Sequence, residues 1–556
     1  MGFRQKALVV SLFLSLHLHG VEKEHVTYLM QSKEFEAAHK LYDEYKEQIG
    51  RHDFEILVQL CSIILKQGIE SSDPMVQLSS LFGTSIANLS SSLDILEQGI
   101  KSASIDTQLA SLQILAGLHD DRGDELITKA MASPSLMVRM EAGYHLAERK
   151  HRKATGHLEA LMYKIPEEYW FYFPQFFALV GTHEAIDTLK KLMEHPNSMT
   201  RVEALLSAAR FGRDDLVTRI RAHATHFQPD EQEAAATALG ILKDSHSISK
   251  LQRLTKSTYS SVKLAAYQSL YHLGDTKALL PIFDAAKNED PFAISLLGQL
   301  PGGEETLANL QSSPSIHTRL NATLSLLTRR DKRCIRTLFE FLLSDTKDLG
   351  FMPTSSLGHS MMAWKVVPSL RQQREELAIG LAGITLQLRE QMLSNALELP
   401  EEEFLTIASK VFDYRQLDLI PLLVQLLENH ATDESIALLK KNSNSAGAPL
   451  IRMYCSLALF RLKQPGPYEQ QIKRWIKKTE GMEMMKFRPN VPWNMKNTIS
   501  TYELTPEEST QLLLECYQVL SEEHNAQGIE ILLDSIRYGH PKNRYVLAGL
   551  LIRTLQ

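Results

Sequence analysis

Cysteine is scarce in this chain of 556 residues, and its four cysteines lie far apart: Cys61, Cys334, Cys455 and Cys516. No C-x-x-C pair occurs, and no cysteine and histidine cluster has the spacing of a zinc site. We therefore expect buried free thiols, which pack as small apolar side chains. A disulfide is the alternative if the chain is exported.

A charge excess of one sign is also missing. The chain has 60 basic and 66 acidic residues and a net charge of −6, which gives no whole-chain attraction to nucleic acid or anionic lipid. The motifs H-E-x-x-H, G-x-S-x-G, G-x-G-x-x-G, the Walker loop and the EF-hand loop are absent from the sequence. The sequence therefore predicts no catalytic residue, no metal, no cofactor and no nucleic-acid partner.

No apolar run reaches the 18 residues of a membrane span, so no transmembrane segment is predicted. The run Ala7–Leu16, which follows Arg4 and Lys6, has the length of the apolar core of a signal peptide. We expect residues 1–20 to be a signal peptide and the mature protein to be periplasmic or secreted. The alternative is a buried N-terminal helix in a cytoplasmic protein.

The sequence does contain a repeat with a period of 31 residues. Its seven anchor positions are Gln77, Gln108, Arg139, Trp170, Arg201, Gln232 and Lys263. Leu or Ile stands nineteen residues after every anchor, at Leu96, Ile127, Leu158, Leu189, Ile220, Leu251 and Ile282. The position three residues after the anchor is small except at Phe173, and is otherwise Ser80, Ser111, Ala142, Ala204, Ala235 or Ala266. A fixed period of this size is typical of a stacked solenoid.

Each repeat has the features of a helical hairpin. Proline precedes the anchor by three to five residues in most units, where it ends one helix and tolerates the first turn of the next. Glycine or asparagine follows the anchor by eleven residues in four units, and these residues suit the left-handed conformation that closes a helix. A second helix would then carry the Leu or Ile inward, and we expect the second helices to line the concave face.

The opening helices Ser135–Ala142 and Ser260–Ala266 resemble the "Val-Arg-x-x-Ala" helix of HEAT-like repeats of the phycobilisome-lyase type. The likeness covers residues 72–330 and returns at Ile316–Leu327 and Leu450–Leu459. It implies an all-α fold, an α-solenoid of HEAT-like helical hairpins capped at both ends by non-repeat helices. The chain as a whole also resembles a chlamydial repeat protein.

Outside the regular array the sequence predicts caps and insertions. The predicted segments are 21–71, an N-terminal cap with one tetratricopeptide-like helix; 72–343, the HEAT-like array; 344–372, an irregular insertion; 373–478, divergent repeats; 479–506, an irregular loop; and 507–556, a C-terminal cap. The two irregular stretches are rich in methionine and tryptophan, which adapt to partners and anchor interfaces. Their candidate partner-binding residues are Phe351, Met352, Met361, Trp364, Met484, Phe487 and Trp493. The alternative is that Trp364 and Trp493 fold back and plug the end of the array.

Two basic runs form a second candidate site for an acidic partner or phosphate. Their residues are Arg149, Lys150, Arg152, Lys153, Arg329, Arg330 and Arg333. Such runs are more often solvated turns. The aromatic run at residues 169–173 is open to two interpretations, a ligand shelf or ordinary packing.

The leading functional hypothesis is an exported, non-enzymatic scaffold that binds a protein or peptide. The HEAT-like resemblance also implies alternatives, because some relatives are lyases or lyase chaperones that act on bilins, and others are glycosylases that act on DNA. A third hypothesis is peripheral association with the envelope as an assembly factor.

Overall fold

Helical hairpins make up nearly all of the computed structural model, which describes residues 23–88, 92–118, 121–344, 349–368, 375–445, 448–484, 508–522 and 526–556. The chain divides into two compact units. Unit 1 contains Met1–Ala130, Lys463–Val491 and Ser500–Gln556, and unit 2 contains Met131–Leu462 and Pro492–Ile499. The prediction of an all-α, HEAT-like solenoid is confirmed.

The helices of the first 343 residues follow one another in pairs. They are α1 Lys23–Gln31, α2 Phe35–Ile49, α3 Phe54–Ile69, α4 Pro74–Ala87, α5 Leu93–Ile100, α6 Ile105–Gly117, α7 Asp121–Ala130, α8 Leu136–Glu148, α9 Ala154–Met162, α10 Pro174–Val180, α11 His183–Met193, α12 Ser198–Arg210, α13 Val217–His223, α14 Pro229–Ile241, α15 Ile248–Leu254, α16 Ser260–His272, α17 Leu279–Lys287, α18 Pro291–Leu297, α19 Glu304–Leu310, α20 Ile316–Thr328 and α21 Ile335–Leu342.

A β-hairpin and nine further helices complete the described structure. They are β1 Gly350–Ser355, β2 Met362–Val367, α22 Glu375–Ala396, α23 Glu401–Asp413, α24 Ile420–His430, α25 Asp433–Ser443, α26 Pro449–Arg461, α27 Tyr468–Thr479, α28 Glu508–Glu522, α29 Ala526–Tyr538 and α30 Asn543–Thr554.

The anchor side chain has a structural role that recurs along the array. Its amide or guanidinium donates to the backbone carbonyl six residues upstream, at the end of the preceding helical hairpin. The bonds are Gln77 to Ser71, Gln108 to Ser102, Arg201 to His195, Gln232 to His226 and Arg319 to Ser313. Each of these carbonyls lies two or three residues beyond the end of the preceding helix, so the bond from the anchor fixes the turn between repeats.

Both predicted core columns are buried throughout. The seven Leu and Ile residues of the second helices and the seven residues three after the anchors all have no exposed surface. Close packing of this kind is what a stacked array needs, because one helical hairpin cannot bury its own apolar face.

The bend between the two helices of a repeat uses one left-handed residue. The predicted Asn88, Gly181, Gly212 and Gly274 all have positive φ. Lys150, Lys243 and Arg330 occupy the same position in other repeats and also have positive φ. The sequence did not reveal these three, because the pattern of glycine and asparagine is broken by basic side chains.

The first helices of unit 2 lie closer to one another than the second helices do. Ser269 Oγ donates to the carbonyl of Ala236 at 2.7 Å, and Ser325 Oγ donates to the carbonyl of Ile294 at 2.9 Å. Both bonds join neighbouring first helices. The closest approach between successive repeats of unit 2 is therefore between first helices; which helices line a concave face stays a prediction.

The segment 344–372, predicted as irregular, contains an antiparallel hairpin. Gly350 pairs with Val367 and Ser355 with Met362. Pro353 lies opposite Trp364 in the register; it has no N–H to offer, which fits an outward-facing position on an edge strand. The strands are short and hold a proline, so their pattern in the sequence was weak.

Unit 1 joins helices from the two ends of the chain. Helix α30 packs against α3 and α4. The approach of α30 to α4 is so close that a Cβ atom added to Gly549 would lie 2.1 Å from the carbonyl oxygen of Gly83. The predicted caps at 21–71 and 507–556 therefore belong to one unit. Of the second irregular stretch, 479–506, only the residues up to Met484 are among those that the structure describes.

Candidate functional site

The tip of the β-hairpin is held by one buried carboxylate on a first helix of unit 2. Glu233 of α14 has no exposed surface. Its oxygens accept hydrogen bonds from the Ser356 hydroxyl, from the Gly358 N–H at 2.9 Å and from the Ser360 hydroxyl at 2.6 Å. A buried charge is tolerated only when it is well hydrogen-bonded, so these three donors compensate for the burial of Glu233.

Glu233 stands at a position that is apolar in the other repeats. The residue after each anchor is Leu78, Leu109, Met140, Phe171, Val202 or Leu264 elsewhere in the array. A single carboxylate in this apolar column is the feature of the sequence that marks the contact with the hairpin. Gly358 completes the fit, because a Cβ atom there would lie 2.4 Å from the carbonyl oxygen of Asp230.

Polar side chains of other first helices bind the two edges of the hairpin. The Asn321 amide donates to the Trp364 carbonyl and accepts from the Trp364 N–H, both at 2.8 Å. The Val366 N–H lies 3.0 Å from His317 Nδ1, and the Phe351 N–H donates to Thr385 Oγ1 at 2.9 Å. These contacts satisfy edge groups that would otherwise pair with another strand. The hairpin thus covers part of the first-helix face with the chain's own residues.

The predicted partner-binding residues are divided by this arrangement. Phe351, Met361 and Met484 are buried within the chain and are not available to a partner in this structure. Met352 is exposed and Trp364 is half-buried. Phe487 and Trp493 lie outside the described residues.

The two basic runs lie in separate bends and do not form one patch. In the second run, Arg330 forms an ion pair with Glu398 at 2.7 Å, and Arg333 pairs with Glu305 at 2.8 Å. Arg329 pairs with Glu304. In the first run, Lys150, Arg152 and Lys153 are exposed, while Arg149 is half-buried. The paired second run fits the solvated-turn interpretation.

Exposed aromatic residues instead line the loops between repeats in unit 2. We call this set the aromatic edge; its exposed residues are Tyr163, Tyr169, Phe227 and Tyr259, and Trp170 lies half-buried beside them. Phe227 is 81% exposed and Tyr163 is 62% exposed. Large aromatic side chains that stay in solvent in three of the connections between repeats favour an interaction surface.

Ring contacts tie part of the aromatic edge to the turns beneath it. The centroid of Trp170 lies 5.3 Å from those of Tyr163 and His195. The centroid of Phe227 lies 4.4 Å from that of His226. The run at 169–173 therefore has both predicted features, because Phe173 is core while Tyr169 and Trp170 reach the surface.

Arg201 and Glu231 connect these turns below the surface. The Arg201 guanidinium donates to the carbonyls of His195 and Pro196 and to Glu231, which is fully buried. His223 Nδ1 also lies 2.9 Å from Glu231. The turn at His195, whose ring contacts Trp170, and the turn that presents Phe227 are thus joined by one polar network.

The same network sets the protonation of its members. Burial by itself raises the pKa of Glu231, but hydrogen bonds from Arg201 and His223 outweigh it and hold the pKa below its ordinary value. Burial lowers the pKa of His195, and Arg201 lowers it further against the opposing charge of Glu167. Glu231 is therefore an anion and His195 is neutral at neutral pH.

The described residues contain no group of three or more histidine, cysteine or acidic side chains placed to hold a metal ion. All four cysteines are buried and free. Burial is the main cause that raises the pKa of the Cys334 thiol to about 12. Among the helices that the structure describes, none combines the length and the apolar character of a membrane span.

Comparison with solved structures finds other helical repeat proteins. The complex of CpcE and CpcF of phycocyanin lyase from Nostoc sp. PCC7120 is 19% identical over 39% of this chain and 92% of that chain, with a TM-score of 0.28. Kap121p is 13% identical over 95% of this chain, with a TM-score of 0.38, and the match spans 58% of Kap121p. Kap121p bound to the SUMO protease Ulp1p is 12% identical over 99% of this chain and 80% of that chain, with a TM-score of 0.33. No family model and no curated protein matches the chain. These likenesses concern the helical-repeat fold alone.

Proposed function

We propose that this protein is an exported, non-enzymatic scaffold that binds a protein partner along the aromatic edge of unit 2. The observation that carries the proposal is the exposure of Tyr163, Phe227 and Tyr259 in the loops between successive repeats. Tyrosine and other aromatic side chains provide large contact areas with little loss of conformational entropy. A polypeptide that lies across several loops could contact all of them at once.

The hairpin supports this choice of surface. Its contacts with Glu233 and Asn321 place it on the first-helix face, where it occupies part of the space that a partner would use. The aromatic edge remains open to solvent.

Site-specific photo-cross-linking in the native cell tests the proposal. A benzophenone amino acid placed at Phe227 or at Tyr163 should give one discrete cross-linked protein. Tyr414 is a matched control, because it is 59% exposed but lies at the end of α23, outside the aromatic edge. Equal cross-linking from position 414, or none from positions 163 and 227, would exclude the aromatic edge as the binding surface.

Export is a separate part of the proposal and rests on Arg4, Lys6 and the apolar run Ala7–Leu16, which lie outside the described residues. N-terminal sequencing of the native protein should give a start near residue 21. A chain that begins at Met1 or Gly2 would contradict export and assign the protein to the cytoplasm. That result would not affect the proposed binding surface. A retained lyase activity is the competing function; a bilin bound to the purified protein would support it.

A further inference from the structure

Unit 1 contains a cleft that has no part in the proposed function. Its volume is about 560 Å³, and it lies between the start of α2 and the two C-terminal helices α29 and α30. The residues that matter for its chemistry are Lys33, Phe35, His39, Arg537 and Arg544, all of which line it.

The start of α2 supplies positive electrostatic potential to this cleft. The helix has 15 residues, and its N-cap residue, Glu34, makes no side-chain capping bond. The first N–H groups of a helix have no acceptor within it, and they carry part of the helix dipole. Residues of this first turn, Phe35 to Ala37, line the cleft, so the turn is available to an anion.

The imidazole of His39 is a second and independent feature. His39 is 5% exposed, it lines the cleft, and its ring forms no hydrogen bond to any described residue. Burial first, and then the nearby guanidinium groups of Arg537 and Arg544, lower its pKa to about 4 against the opposing charge of Asp43. A buried polar ring without a partner, close to two cations, is an arrangement that an anion would complete.

Arg544 differs from Arg537, the other arginine of the cleft, because it forms no ion pair with a carboxylate of the described residues. Arg537 is bound to Asp43 at 2.8 and 3.1 Å. Arg544 lies over the ring of Phe35 at 5.1 Å, its Nε is buried without a hydrogen bond, and no acidic side chain of the described chain pairs with it. It also stands in the first turn of α30, where the helix dipole disfavours a cation. The carboxylates that reach this cleft, Glu34 and Glu36, are exposed at its rim.

We propose that this cleft binds the phosphate group of a small molecule. Arg544, the first-turn N–H groups of α2 and the His39 ring surround one space and can each donate to a phosphate oxygen. Lys33 at the rim adds a further positive charge. A phosphate dianion uses more of these donors than a carboxylate does, which favours phosphate among the oxyanions.

The direct test is titration of the full-length protein with inorganic phosphate, followed by calorimetry and by ³¹P NMR line width. Acetate at the same ionic strength is the control anion. We expect saturable binding of phosphate and much weaker binding of acetate. Equal effects of the two anions, or no saturation at millimolar phosphate, would overturn the proposal.

Variants then locate the site. Arg544→Gln should weaken phosphate binding by about tenfold or more, since a hydrogen bond to a charged group is lost. Arg553→Gln is the matched control, because Arg553 lies on the same helix and is exposed away from the cleft. If Arg544→Gln does not fold, the variant Lys33→Asn tests the site instead. Asparagine tolerates the backbone conformation of Lys33, whose φ is 65°. This variant should bind phosphate a few-fold more weakly. Unchanged binding in a folded Arg544→Gln, or in Lys33→Asn if that variant must decide, contradicts the proposed site.

Discussion

In unit 2 each first helix packs against the first helix of the next repeat, whereas in unit 1 the first helix of the array, α4, packs against α30 from the far end of the chain. The contacts between repeats of unit 2 are therefore local in sequence, apart from the hairpin that returns to Glu233, whereas unit 1 also requires the two ends of the chain to meet. Non-local contacts form more slowly because a long loop must close first. The comparison indicates that unit 2 can fold repeat by repeat, while unit 1 is completed only when the whole chain is present.

The largest effect is expected from the core of unit 2. Leu189→Ala removes a fully buried side chain from α11 and should lower the free energy of unfolding by about 2–5 kcal/mol. Urea melts measure it, with Leu280→Ala as a control because Leu280 is largely exposed. A variant as stable as the parent would show that the register of the repeat is wrong.

A pH titration should distinguish His39 of unit 1 from His145 of unit 2, because the pKa of His39 is lowered and that of His145 is raised. His39 of unit 1 has its pKa lowered from 6.5 to about 4, so the stability it contributes is present above pH 6.5 and is lost as the pH falls towards 4. The loss should reach about 3 kcal/mol. Burial by itself lowers the pKa of His145 in unit 2, but hydrogen bonds with Glu141 and Glu148 outweigh it and raise the pKa. The stability that His145 contributes is therefore lost as the pH rises.

Urea melts in chloride buffer at about pH 7 and about pH 4.5 test this pair. His39→Phe should remove part of the acid sensitivity of unit 1, and His145→Phe should leave it unchanged. If His39→Phe has the same pH profile as the parent, His39 is not buried in its neutral form.

A smaller effect is expected where the chain ends meet. Gly549→Ala places a Cβ atom against the backbone of Gly83 and should cost about 1–3 kcal/mol, because the backbone of α4 or α30 must shift. Gly156→Ala is the control, since a Cβ atom there meets nothing within 4 Å, and alanine favours the helix. Equal melting temperatures for the two variants would contradict the packing of α30 on α4.

The smallest effect is local to the hairpin. Glu233→Leu restores the apolar column and removes three hydrogen bonds from the tip, so the hairpin should open more easily by about 2 kcal/mol while global stability changes little. Hydrogen exchange of the Gly358 and Met361 amides measures this opening, with Met352→Ala as the control in the same hairpin. Unchanged exchange in Glu233→Leu would show that the carboxylate does not hold the tip.

These regions also show what the sequence could predict. The period of 31 residues predicts that Leu189 and its equivalents are buried, because each repeat contacts its neighbours through the same positions. The same reasoning cannot find the partner of α4, since α30 lies more than four hundred residues away and shares no pattern with it.

The candidate site was only partly predictable for a related reason. Methionine and tryptophan marked the segment 344–372 as unusual, but its strands are short and depend on first helices for support. Glu233 was visible as a break in an apolar column. Exposure of Phe227 was not visible, because a single apolar residue in a turn has the same appearance whether it is buried or exposed.

Partner capture by a double variant of the aromatic edge tests the central claim most directly. Tyr163→Ala with Phe227→Ala should weaken binding of the cross-linked partner by about 2 kcal/mol or more and leave the melting temperature unchanged, because both side chains are largely exposed. Tyr414→Ala should keep full binding. Full capture by the double variant, or a loss of capture that only follows a lower melting temperature, would contradict the assignment of the aromatic edge as the binding surface.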